Sequence, residues 1–178
     1  MTLTDIATNI LSVLTVVGQF WLLLIILASL TRKKSISSKF LSFISNHAIM
    51  FSFIVALIAV SGSLFYSEIA GYEPCKLCWI QRIFMYPQVL ILGVALWKKD
   101  KKVFNYIIPL CLLGIIFASY HYYLQLGGTP LTSCDAGATC ARRYTFHFGY
   151  VTIPMMALTA FVLNIIFAMN LKYKIGVK

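Results

Sequence analysis

Four of the five cysteines fall into two closely spaced pairs, Cys75 with Cys78 and Cys134 with Cys140. The first pair is a Cys-x-x-Cys preceded by Pro74 and followed by a long apolar run, which puts it at a helix start. There the helix dipole and the free N–H groups of the first turn stabilise a thiolate, the form of cysteine that exchanges disulfides. A disulfide across so short a loop removes little unfolded-state entropy, so neither pair is an efficient staple of its own loop. Two cysteine pairs also resemble an all-cysteine zinc site. The Cys-x5-Cys spacing is looser than the usual zinc knuckle, and an oxidising space disfavours zinc thiolates. Redox-active disulfides, structural disulfides and a zinc cluster are thus the candidates, and the spacing favours the first. Cys111 stands alone in an apolar stretch and reads as a small hydrophobe.

The elements that must position these cysteines are membrane helices. The 178 residues are 60% hydrophobic and 11% charged, too few charges to coat a water-soluble domain of this size. Five runs reach the length of about 20 apolar residues that a bilayer span needs. They are 10–30, 48–66, 78–97, 104–124 and 151–171. The expected fold is all-α, a polytopic bundle with short connections, and any catalysis sits in the bundle or its loops. In the first run the basic residues Arg32, Lys33 and Lys34 follow the apolar stretch and Asp5 precedes it, the reverse of a signal peptide. It is read as a retained helix with its N-terminus outside.

The net charge of +10 resides in three segments. Arg32, Lys33, Lys34 and Lys39 follow the first span. Lys98, Lys99, Lys101 and Lys102, with Asp100, follow the third, and Lys172, Lys174 and Lys178 end the chain. The remaining charges cancel: Asp5, Glu68, Glu73 and Asp135 against Lys76, Arg82, Arg142 and Arg143. Five spans put the three basic segments on one side, which the positive-inside rule makes cytoplasmic. The basic runs are therefore topology signals rather than a nucleic-acid surface. Both cysteine pairs then face outward, toward an oxidising compartment.

Arg82 lies one helical turn past Cys78, about 6 Å deeper on the same face. An arginine there snorkels to the interface or serves a function, as a thiolate stabiliser or a donor to a quinone carbonyl. His121 lies at a similar depth near the outer end of the fourth span, within the aromatic neighbourhood of Tyr120, Tyr122 and Tyr123. His121 is either an interfacial histidine of that aromatic belt or flanks a small polar headgroup together with Arg82, and Gln81 is either a further polar ligand or an interfacial residue. Trp79 reads as an interfacial anchor, Tyr86 as structural, and Pro87 as a tolerated kink. Gly62 with Ser63, and Gly114, permit close helix contact.

A dithiol oxidase must dispose of two electrons for each disulfide it makes. The chain carries neither a haem-attachment motif nor a Gly-rich dinucleotide motif. A lipid quinone, menaquinone or ubiquinone, is the acceptor a membrane supplies. The two pairs then form a relay: Cys134/Cys140 meets a soluble thiol protein, and Cys75/Cys78 faces the quinone.

The run Glu73-Pro74-Cys75-Lys76-Leu77-Cys78-Trp79-Ile80-Gln81-Arg82, continued by Met85-Tyr86-Pro87, resembles the DsbB/BdbC family of disulfide bond formation proteins. So do residues 62–68, Tyr120-His121-Tyr122 and the segment 148–154, and the resemblance extends over about residues 46–170. The short Cys-x5-Cys loop is similar to the Gram-positive-type branch. The resemblance implies a four-helix bundle in a bacterial cell membrane. It implies that Cys75/Cys78 is the quinone-coupled pair, with Arg82 at the quinone and His121 near it. It further implies that Cys134/Cys140 accepts electrons from a thioredoxin-fold, DsbA/BdbD-like partner outside the cytoplasm. Residues 1–45 add a helix and basic linker before the family's four, leaving 46–178 as the oxidoreductase domain. Vitamin K epoxide reductase-type enzymes also carry more helices, but place their redox motif elsewhere in the bundle.

Overall fold

The computed structural model of the chain describes residues 2–31, 35–130 and 140–176. Cys134 and Asp135, and the basic residues Arg32, Lys33, Lys34 and Lys178, lie outside the described residues. Among the described residues six α-helices follow in order: α1 Leu3–Leu30, α2 Ser35–Asn46, α3 Ala48–Leu64, α4 Lys76–Lys98, α5 Phe104–Gln125 and α6 Ile153–Gly176. A π-helical turn, Phe65–Ile69, extends α3, and a short 3-10 turn, Lys101–Val103, leads into α5. Among the described residues the strand-type contact is a single bridge between His147 and Val151. Among the described residues five helical segments are long and apolar enough to cross a membrane: Leu3–Leu30, Ala48–Ile69, Lys76–Lys98, Lys101–Gln125 and Ile153–Lys172. The protein is an all-α, multi-pass membrane protein, as its apolar runs predict.

The stretch between the first two spans, read as a linker, instead carries α2. Its apolar residues Phe40, Leu41 and Ile44 recur at helical spacing. Leu41 and Ile44 are buried, and Phe40 stacks on Trp21 of α1 with ring centroids 6.0 Å apart. At twelve residues α2 is too short to span a bilayer, so a search for long apolar runs passes over it.

Helix α6 is the centre of the packing, lying against α1, α2, α3 and α5, while α4 fills the space between α3 and α5. Phe104, Ile107, Leu92 and Phe161 are fully buried in the core. Gly114 of α5 makes room for Phe161 of α6: a Cβ at position 114 would lie 2.4 Å from that ring. A polar knot sits beside this contact. Asn164 donates to Gln88 Oε1 at 2.9 Å and Cys111 donates to the same oxygen at 3.4 Å. Gln88 in turn donates to the Phe84 carbonyl at 3.0 Å. Cys111 is therefore more than a small hydrophobe, since it helps fasten α5 to α4 where lipid offers no hydrogen-bond partner.

Gly114→Ala should destabilise the bundle by about 1–3 kcal/mol, because the buried Phe161 ring has nowhere to retreat. Thermal unfolding in detergent would show a lowered midpoint. Gly93→Ala, where the nearest atom to the new methyl is Phe53 Cε2 at 3.4 Å, should not lower it. Equal midpoints for the two variants would contradict this account of the α5–α6 contact.

Candidate active site

Cys75 is the N-cap of α4, with an extended backbone (φ −69°, ψ 170°), and its carbonyl accepts from the Trp79 N–H at 3.1 Å. The preceding loop is held by aromatic stacking. Tyr66 stacks on Tyr72 at 5.7 Å, and Tyr72 stacks on Tyr144 at 4.5 Å. Gly71, at φ +66°, makes the turn that brings Tyr72 back, and the Tyr144 hydroxyl donates to the Glu73 carbonyl at 3.4 Å. The cysteine-bearing helix start is thus clamped to the α5–α6 connection that carries Cys140.

The two sulfurs of the pair lie 3.4 Å apart, with Cys75 donating to Cys78. This hydrogen bond, and then burial, push the Cys75 thiol up to about 11, against a smaller opposing effect of His121. Cys75 therefore keeps its hydrogen at neutral pH. Cys78 accepts the hydrogen bond from it, within the first turn of α4, where the helix dipole favours negative charge.

His121 lies 3% exposed between the two helices. Its Nε2 is 3.1 Å from the Cys140 carbonyl and 3.7 Å from Cys75 Sγ, and its Nδ1 is 2.9 Å from Gln81 Nε2. A carbonyl can only accept, so in the neutral ring Nε2 carries the hydrogen and Nδ1 accepts from the Gln81 amide. One ring thereby joins Gln81 of α4, the N-cap cysteine and the backbone of Cys140. Cys140 is buried and packs with Cys75, Leu77 and Leu124. Arg143 adds to the same corner by donating to the Gln125 carbonyl at 2.6 Å, which caps the end of α5 with a cation. Gln125 returns a bond to the Arg142 carbonyl at 3.1 Å.

Arg82 points to the other side of α4. Its Nε donates to Ser63 Oγ and its terminal nitrogen to the Ser63 carbonyl, both at 3.0 Å, and the guanidinium lies 5.0 Å from the centre of the Trp79 ring. The Tyr86 hydroxyl also reaches Ser63 Oγ, at 3.4 Å. Arg82, Ser63 and Tyr86 line an apolar cavity of about 470 Å³ together with Cys78 and Gln81. That volume falls in the range of small-molecule sites. His121 does not line it. It borders instead a void of about 20 Å³ shared with Cys75 and Cys78.

The expected pairing of Arg82 with His121 around one headgroup is therefore not what the structure places. Equal depth put them together, but α4 stands between them, with α3 on one side and α5 on the other. Ser63 and Tyr86, read only as packing residues, turn out to anchor the arginine. Cys75 Sγ, Cys78 Sγ and a ring nitrogen of His121 all lie within 4.8 Å of one another, a donor set that could also hold a metal ion.

Comparison with known proteins adds a separate line. Residues 45–171 match the family model "Disulfide bond formation protein DsbB". Disulfide bond formation protein C of Bacillus subtilis is 46% identical over 123 residues, 68% of this chain and 89% of that protein. The SPbeta prophage-derived disulfide bond formation protein B of the same organism is 40% identical, over 67% of this chain and 80% of its own length. A probable disulfide formation protein of Oceanobacillus iheyensis is 39% identical over 71% of this chain and 88% of its own. No solved structure matches the chain. With the family model spanning α3 to α6 and the paired cysteines within it, the chain belongs to the DsbB family of disulfide bond formation proteins.

Proposed function

We propose that the protein is a thiol:quinone oxidoreductase that reoxidises an extracytoplasmic thioredoxin-fold dithiol oxidase. The observation that carries the reading is the position of Cys78. It lies at the start of α4 with the cysteine–histidine junction on one flank and the Arg82-lined cavity on the other. Cys75, Cys78, Cys134 and Cys140 are the redox residues, Arg82 and Gln81 border the quinone, and His121 serves the exchange between the pairs. The oxidoreductase domain is residues 46–178, with both cysteine pairs outside the cytoplasm.

The electron count closes. The partner's two thiols reduce a Cys134–Cys140 disulfide by thiolate attack through a mixed disulfide. Cys134/Cys140 then reduces Cys75–Cys78 by the same exchange. Two electrons and two protons pass from Cys75/Cys78 to the quinone, giving the quinol and restoring the disulfide. A quinone bound in this cavity supplies two-electron acceptance. The chain's own residues supply the rest. Arg82, fixed by Ser63, offers a cationic donor in a site where little water competes. The His121 Nε2–H holds the Cys140 backbone against the pair.

Cys78→Ser should abolish quinone reduction, read as the loss of oxidised-quinone absorbance during turnover of a reduced thioredoxin-fold protein. Arg82→Ala should raise the quinone KM by about ten- to hundredfold, the value of a lost charge-assisted bond, with thiol exchange at Cys134/Cys140 unchanged. An unaltered quinone KM would remove Arg82 from the site. Wild-type protein that reduces no quinone and carries about one zinc per chain would replace the redox reading with a metal cluster.

His121→Ala separates the two flanks. It should slow exchange between the cysteine pairs by about tenfold while leaving the quinone KM in place. Stopped-flow mixing with reduced partner would check the first effect and steady-state titration the second. A raised quinone KM with unimpaired exchange would return His121 to the quinone site.

A further inference from the structure

The cavity beside Arg82 is much longer than a quinone ring. Its outer end holds Cys78, Arg82, Ser63 and Glu73, and its inner end is bounded by Phe43 and Ile44 of α2, Phe51 of α3 and Phe167 of α6. One full wall belongs to α1. Leu11, Leu14, Thr15, Gly18, Trp21 and Ile25 all line it. Their spacing of three or four residues forms one stripe along the helix. From Leu11 to Ile25 that stripe runs about 21 Å. The Thr15 hydroxyl is satisfied by its own Leu11 carbonyl at 2.8 Å, so it adds no free polar group to the wall.

This wall is seated rather than loosely apposed. Gly18 approaches α6 closely enough that a Cβ there would meet Leu163 Cδ1 at 3.1 Å, and Leu11 Cδ1 would lie 3.0 Å from a Cβ on Gly62 of α3. Gln19 is bonded at both ends of its amide, donating to Thr159 Oγ1 at 3.1 Å and accepting from the Tyr150 hydroxyl at 2.6 Å. A glutamine satisfied this way within the apolar slab pins the register of α1 on α6. Yet α1 and all but the last two residues of α2 lie before residue 45, where the family match begins.

A cavity with polar groups at one end and about 20 Å of apolar wall suits an amphiphile with a small polar head and a long hydrocarbon tail. We propose that α1 and α2 form the tail channel for the electron acceptor, so that preference among quinones of different tail length is set by the segment outside the family domain. This rests on the quinone reading above.

The test uses the full-length purified protein with quinones that share one ring and carry either a long isoprenoid tail or none. Leu14→Trp, which obstructs the channel below the headgroup end, should raise the KM for the long-tailed quinone by about tenfold. The KM for the tail-less analogue and the rate of dithiol exchange should stay as in wild type. Leu14→Ala should shift the ratio of the two KM values the opposite way. Val13→Trp, an exposed position of α1 that does not line the cavity, should change neither. A Leu14→Trp effect equal on tailed and tail-less quinones, or no effect on either, would overturn the channel while leaving quinone reduction intact. Wild-type protein that reduces neither quinone would overturn the function reading, and this inference with it.

Discussion

Hydrocarbon offers no partner to a polar atom, and that constraint organises this protein more than any other. Several polar side chains between the helices are committed to a neighbour across the bundle. Gln88, Asn164 and Cys111 tie α4, α5 and α6 together in the interior. Gln19 ties α1 to α6 and to the turn before it. Ser63 holds Arg82 between α3 and α4. Because leaving such a group unpaired in lipid costs several kcal/mol, each pairing fixes rotation and register of a helix as well as its proximity. The groups of the candidate site inherit their placement from these ties.

Helix α4 shows how one element serves two chemistries. Successive residues on a helix point about 100° apart, so Gln81 and Arg82 leave α4 on different flanks. Gln81 meets His121 and, through it, the Cys140 backbone, and also touches the edge of the cavity. Arg82 meets Ser63 and the apolar cavity. Cys78, one turn earlier, reaches both neighbourhoods. A disulfide-exchanging group must accept a sulfur from one direction and release electrons in another, and a helix N-terminus between two walls provides that separation without moving the backbone.

The amino-acid pattern made the five spans, the all-α class and the placement of Cys75 and Cys78 at one helix start legible, since apolar length is a strong signal in a membrane chain. It also singled out Arg82, Gln81 and His121 as polar residues in an apolar setting. It did not tell which side of α4 each one serves. Depth follows from residue counting, whereas the facing helix depends on the packing order of α3, α5 and α6, which no local spacing encodes. Helix α2 was hidden for another reason: it is amphipathic, but its twelve residues with several serines are too short and too polar for a span. Ser63 reads as one small residue beside a glycine until its oxygens are seen facing a guanidinium.

The added N-terminal segment shows the same constraint working at larger scale. A groove between α3 and α6 left open to lipid would hold an acceptor by its headgroup alone, with the tail dissolved in the bilayer. Closing it with α1 requires small residues at the contact, which Gly18 and Gly62 supply, and a polar tie that does not leave an unsatisfied atom, which Gln19 supplies. Once closed, the groove presents one charged end and a long apolar bore. An amphiphile bound there would be held along its length rather than by its head alone. On the proposed reading, a hydrophobic segment added to a four-helix core alters the selection of a lipid-soluble substrate while the cysteines, the arginine and the histidine keep their places.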